Sequence, residues 1–178
     1  PVESSSADCR AVAIQQLRSE LGHLRREPRR AARSNAVVST GIAALDAILP
    51  DRGLLRGMLS EWIAAESGSG SLMLVMQAIR QAQCAGPLIV VDGQRRLYAP
   101  AMMKSGVRLD ETILVRPKSR TDELWAVEQS LKCPGVGAVL FHVDYLKTQD
   151  FRRLQLAAES SKAIGILVRS MAAQKQRG

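Results

Sequence analysis

Five short apolar runs, spaced through the chain and separated by segments of helical character, constrain the fold more than any other feature. They are LSEWI (59–63), PLIVVD (87–92), TILVRP (112–117), GAVLFHV (137–143) and AIGILVRS (163–170). Helices are expected between them, near 71–85, 97–105, 121–132 and 149–161. In the third of these, Leu124, Val127, Glu128 and Leu131 share one face. The runs are apolar on both faces, as strands covered by helices on either side should be. Strand–helix alternation of this kind predicts an α/β protein with a mostly parallel sheet in three layers, α/β/α.

A parallel sheet of this type binds ligands beyond the carboxyl ends of its strands. Those ends fall at Ala64–Glu66, Asp92–Gln94, Pro117–Lys118, Asp144 and Ser170. The first is the most suggestive, because AAESGSGSL (64–72) lies between a strand and a helix, where a phosphate loop would sit. Such a loop needs glycines to curl its N–H groups around the phosphates, a Lys to offset their charge and a Ser/Thr to hold Mg²⁺. Laid on that pattern, Ala64 replaces the first Gly, Ser69 the second and Gly70 the Lys; only Ser71 matches. Shifting the register does not help, since no Lys occurs between Arg56 and Arg80. Free N–H groups at the helix start leave room for weak anion binding only. Asp92 and Asp144 stand where a Mg²⁺-holding carboxylate would stand; without the Lys, the preferred reading is that each caps a turn or helix.

No other catalytic constellation is present. His23 and His142 have no partners at catalytic spacing, and His142, inside a strand run, reads as a satisfied sheet residue. Trp62 and Trp125 each fall within an apolar run and read as core. Cys9, Cys84 and Cys133 have no metal spacing and an odd count, so buried free thiols in a reducing cytoplasm are expected. No apolar run approaches the roughly 18 residues of a membrane span, and no signal peptide is recognised. A start at Pro1 without Met reads as processed or trimmed.

Ahead of the alternating region, residues 1–36 read as an N-terminal helix and an Arg-rich linker, with the core at 37–170 and a basic tail at 171–178. The helix, from Asp8 to about Glu27, carries Ile14, Leu17, Leu21 and Leu24 in a narrow apolar seam. That seam packs either on its own domain or on another chain, a homo-oligomer among the choices. The linker holds Arg25, Arg26, Arg29, Arg30 and Arg33. With 25 Lys+Arg against 17 Asp+Glu, the +8 chain is suited to an acidic partner, so this cluster is the candidate for non-specific contact with DNA.

The strings VSTG (38–41), ALD (44–46), RGLLRGMLSEWIAAESGSGS (52–71), VVD (90–92), SGV (105–107) and TDELWAVEQSL (121–131) resemble the RecA core, in step from Ser39 through Asp144. The resemblance places Gly70 at the phosphate-binding Lys and Gln94 at the Glu that activates water. A Gln amide cannot take that proton. Asp144 matches the remaining carboxylate, and the strand AIGILVRS ends in Arg169–Ser170 where a sensor Gln is usual. Two ATPase requirements are therefore missing, and no cofactor and no enzymatic activity are expected. A closer resemblance, to ImuA, rests on TGIAALDAILP (40–50), LYAPAMMKSGVRLDETILVRP (97–117), ELWAVEQSL (123–131) and FRRLQLAAES (151–160). It implies a bacterial, cytoplasmic and nucleoid-associated accessory of SOS-induced translesion synthesis. Such a protein binds ImuB and RecA, and through them the mutasome polymerase, without catalysis of its own. A weak nucleotide- or DNA-binding RecA-like protein and a SulA-like division inhibitor are the alternatives.

Overall fold

The computed structural model describes residues 37–64 and 70–171. The chain divides into two units, Pro1–Ala36 and Val37–Gly178. The N-terminal seam (Ile14, Leu17, Leu21, Leu24), the linker arginines (Arg25, Arg26, Arg29, Arg30, Arg33), Ser69 and the basic tail beyond Met171 lie outside the described residues.

All five apolar runs form strands of one parallel sheet: β3 (Leu59–Ala64), β4 (Leu88–Val91), β5 (Thr112–Val115), β6 (Ala138–His142) and β7 (Ile164–Ser170). Their order across the sheet is β3-β7-β6-β4-β5. Parallel neighbours require long crossovers, and each crossover here carries a helix. These are α2 (Ser71–Ala82, continued by a 3₁₀ turn at Gln83–Ala85), α3 (Ala99–Lys104), α4 (Arg120–Lys132) and α5 (Thr148–Ser161). Two elements at the start of the core are too short to announce themselves in the sequence. They are α1 (Ala43–Ile48) and an antiparallel ladder of two-residue strands, β1 (Val37–Val38) with β2 (Leu54–Leu55).

The alternation of side chains along each strand builds the layers. Leu88 and Val90 of β4, with Ala138 and Leu140 of β6, face a core completed by Val75, Ile79 and Ala82 of α2 and Met102 of α3. Ile89, Val91, Val139 and Phe141 face the opposite core, closed by Val127 and Leu131 of α4 and Leu154 and Ala158 of α5. The result is the three-layer α/β/α sandwich expected, and it is RecA-like in its parallel five-stranded sheet.

Local chemistry explains where elements begin. Ser119 caps α4, its hydroxyl accepting from the Asp122 N–H at 3.1 Å. Pro100 sits in the first turn of α3, where a missing N–H costs nothing. The STG…LD string is an intramolecular clamp: the Asp46 carboxylate accepts from Thr40 N at 2.9 Å and Thr40 Oγ1 at 2.7 Å, and from Ser39 Oγ. Burial opposes ionisation of Asp46, but these three hydrogen bonds outweigh it and hold its pKa below the ordinary carboxylate range. Gly165 of β7 leaves room for Leu59 of β3; a Cβ there would lie 2.2 Å from the Leu59 side chain.

Three sequence expectations need correction. The strands are not all covered on both faces, because β3 and β5 are the sheet edges: Ile113 and Leu114 of β5 are 54% and 41% exposed. Trp125 is not core but 59% exposed, since α4 buries the face carrying Ala126, Val127, Ser130 and Leu131 instead. Cys84 and Cys133 are exposed rather than buried, because both lie where helices terminate at the surface.

Candidate functional site

The connection after β4 leads outward to β5, whereas that after β6 leads back to β7. The two therefore diverge between β4 and β6, the point at which open α/β sheets place their ligands. Asp92 and Asp144 flank this point, each just past the end of its strand.

Asp92 is 2% exposed, and both its oxygens are committed. Oδ1 accepts from the Arg96 N–H at 2.8 Å and Oδ2 from the Leu97 N–H at 2.9 Å. It therefore ties the 93–97 turn to the strand end. Asp144 is half-exposed. Its Oδ2 lies 3.5 Å from Arg96 Nη2, and its Oδ1 accepts from Ser170 Oγ at 3.3 Å. The main-chain carbonyl of Asp144 accepts from Arg169 Nη2 at 2.9 Å, while Arg169 Nη1 pairs with the Glu61 carboxylate. Arg169 is only 5% exposed, so this ion pair locks the edge strand β3 to β7 and to the turn after β6.

His142 departs from the satisfied sheet residue expected. Its Nδ1 is buried without a hydrogen-bond partner. It shares that state with Trp62 Nε1, and both residues are register partners of Val168, one from each side. Burial holds the His142 imidazole below the ordinary histidine range; Arg96 adds to this, and Asp92 and Asp144 oppose it.

The degenerate phosphate loop is partly visible. Ala64 ends β3 opposite Ser170, and Gly70 is the N-cap of α2 with φ +77°. A Cβ at Gly70 would meet nothing within 4 Å, yet any side chain there, a Lys included, would carry the strain of a left-handed backbone. Ser71 is the first residue of α2. Gln94 is exposed in the turn that Asp92 anchors. The structure thus gathers Asp92, Gln94 and Asp144 at the β4 and β6 ends, while Ala64 closes β3 and Gly70 and Ser71 open α2. Among the described residues, no group of three or more His, Cys, Asp or Glu is placed to hold a metal ion. Nor is any helix among them long and apolar enough to cross a membrane.

Glu61 and Arg96 escaped sequence reasoning, and Arg169 entered it only as a departure from a resemblance. For Glu61 and Arg169 the signal was present, one charge of each sign inside two largely apolar strands; Arg96, in a polar turn, carried none.

This fold and this arrangement of strand ends define a RecA-like α/β core. No family model matches the chain. Protein ImuA of Caulobacter vibrioides is 28% identical over 138 residues, covering 74% of this chain and 57% of its own length. Protein RecA of Methylococcus capsulatus is 33% identical over 111 residues, covering 62% of this chain and 32% of its own. The chain is thus similar to ImuA across its core, with RecA a more distant likeness, as the sequence strings indicated. It spans little more than half the length of the ImuA proteins it matches. The crystal structure of SulA from Pseudomonas aeruginosa superposes with a TM-score of 0.56 at 18% identity, over 63% of this chain and 97% of that one. At that identity the likeness speaks for the fold alone.

Proposed function

We propose that this chain is a non-catalytic, RecA-like accessory protein of damage-induced translesion DNA synthesis, acting by binding proteins of the ImuB and RecA types. The similarity to ImuA supports the cellular setting. The non-catalytic reading rests on one observation above all: the strand-end carboxylates are spent on the protein's own groups. Asp92 is saturated by two main-chain N–H donors, and Asp144 meets Arg96 and Ser170. A magnesium nucleotide would have to displace these partners, and Gly70 and Gln94 supply neither the cation nor the base to repay it.

The candidate partner contact is the apolar seam Ile14, Leu17, Leu21 and Leu24. Leu17→Glu with Leu21→Glu should abolish pull-down of ImuB- or RecA-type partners while circular dichroism stays unchanged. Retained binding removes the seam from the account. A weakly nucleotide-binding protein is the competing reading, favoured by Ser71 and Asp144 alone. Calorimetry with Mg-ATP separates the two, since saturable, stoichiometric binding, even in the micromolar range, would establish the competitor. Direct DNA contact through Arg25, Arg26, Arg29, Arg30 and Arg33 draws support from the +8 charge. Binding of that origin should weaken steeply with salt, and its absence at about 50 mM salt would end this reading.

A further inference from the structure

The proposed function makes no use of the face formed by α4 and α5. The two helices run side by side in the same direction, as two links show: Arg153 pairs with Glu128, and Ser161 Oγ donates to the Leu131 carbonyl. Between them is an open cleft of about 490 Å³ whose floor includes Leu156 and Ala157. Leu156 is 54% exposed. One helical turn before Glu128, Trp125 stands exposed on α4, outside both the buried stripe of that helix and the lining of the cleft. Leu156 is thus a large apolar side chain half-exposed in a concave site, with Trp125 exposed nearby in sequence on α4; an apolar floor rimmed by charge is the make-up of a protein-binding surface.

The charge on this cleft is one-sided. Lys132, Arg152 and Arg153 line it, with Glu128 as the one acidic lining residue. Glu128 is buried, and both its oxygens are taken, one by Lys132 Nζ at 2.7 Å and the other by Arg153. The hydrogen bond from Arg153 leads in holding its pKa below the ordinary carboxylate range, against burial and with help from Lys132. One carboxylate against three cations leaves a net positive rim over an aliphatic floor.

We infer that the α4–α5 cleft is a docking site for an acidic, amphipathic peptide segment of a protein partner. Its aliphatic residues would contact Trp125 and Leu156, and its carboxylates would meet Arg152, Arg153 and Lys132. This deepens the partner-binding reading and rests on it. A helix pair offering an apolar groove with a charged rim is the usual receptor for an amphipathic helix. Single-stranded nucleic acid suits it less well, because such surfaces stack successive bases on several aromatic side chains. Here the residues that line the cleft include no aromatic side chain, and the apolar ones are Leu156 and Ala157.

The test uses the full chain and a fluorescently labelled synthetic peptide with leucines on one helical face and glutamates on the other. Controls are the same peptide with every Glu replaced by Lys, and a short oligothymidylate. The acidic peptide should bind saturably, and binding should weaken by about tenfold or more in the Arg152→Glu/Leu156→Asp variant. Both positions are exposed, so the melting temperature of that variant should match the parent's. With unlabelled acidic peptide, binding should change the protein's own tryptophan emission, and Trp125→Phe should remove that change; a change that persists in this variant would overturn the contact with Trp125. The proposal is overturned if the acidic peptide does not bind, if the Lys peptide binds equally well, or if the variant binds unchanged. Oligothymidylate binding with the same dependence on Arg152 and Leu156 would also overturn it, in favour of a nucleic-acid surface. Co-elution of the variant with ImuB- or RecA-type partners is measured alongside. If that survives while peptide binding fails, the partner reading stands and only this cleft is lost.

Discussion

Replacing Asp92 with Ala separates a structural carboxylate from one kept for a ligand. Asp92 is buried and accepts two main-chain hydrogen bonds, at 2.8 and 2.9 Å. A hydrogen bond to a charged acceptor contributes about 1.5–3 kcal/mol, more than a neutral one. Two would give about 3–6 kcal/mol, but Arg96 is exposed and Leu97 only half-buried, so water can recover part of the loss. We therefore expect Asp92→Ala to cost about 2–4 kcal/mol. For a unit of this size that corresponds to roughly 10 °C in Tm. Asp92→Asn keeps one acceptor but turns an amide N–H toward the second donor, so it should fall between Ala and the parent. Urea unfolding followed by tryptophan fluorescence, with a thermal melt by circular dichroism, measures both variants. Asp144→Asn is the control: its pair with Arg96 joins two half-exposed side chains and should matter by less than about 1 kcal/mol. Were Asp92 instead held ready for a cation, its removal would relieve charge and leave stability equal or higher without added metal. A change below about 0.5 kcal/mol for Asp92→Ala, within the range of an ordinary surface substitution, would refute the reasoning.

Arg169→Ala should cost about 2–4 kcal/mol in the same urea assay, because it strands Glu61 and orphans the Asp144 carbonyl; Glu61 is a third exposed, which keeps the figure below that of a fully buried pair. The folded pKa of His142 is depressed, so as pH falls below about 6.5 the unfolded chain binds a proton that the folded chain resists, and stability drops; His142→Gln should flatten that limb of the stability–pH curve. The folded pKa of Glu128 is also lowered, so its contribution is complete above about 4.5 and lost as pH falls further; Glu128→Gln should remove this second, more acidic limb.

The parallel sheet was legible because apolar runs bounded by helical segments have few other solutions, and its interior strands β4, β6 and β7 match that pattern most closely. The ladder of β1 with β2 was not, because a pair of two-residue strands carries no periodicity. Trp125 was misplaced because an apolar run in a helix does not say which residues point inward; in α4 the buried stripe includes Glu123 and Glu128 and leaves the Trp outside. The candidate site was legible in its losses, since Gly70 and Gln94 are read directly from the letters. Its internal wiring was not. Arg169 and Glu61 are 108 residues apart and meet only because β7 inserts beside β3. Arg96 reaches Asp144 only because β4 and β6 are neighbours, an adjacency that strand order decides and local sequence does not.

Size-exclusion chromatography of this chain mixed with ImuB- and RecA-type proteins, run with and without Mg-ATP, tests the central claim most directly. The account predicts co-elution with at least one partner, unchanged by the nucleotide. Co-elution with neither, or only when Mg-ATP is present, would contradict it.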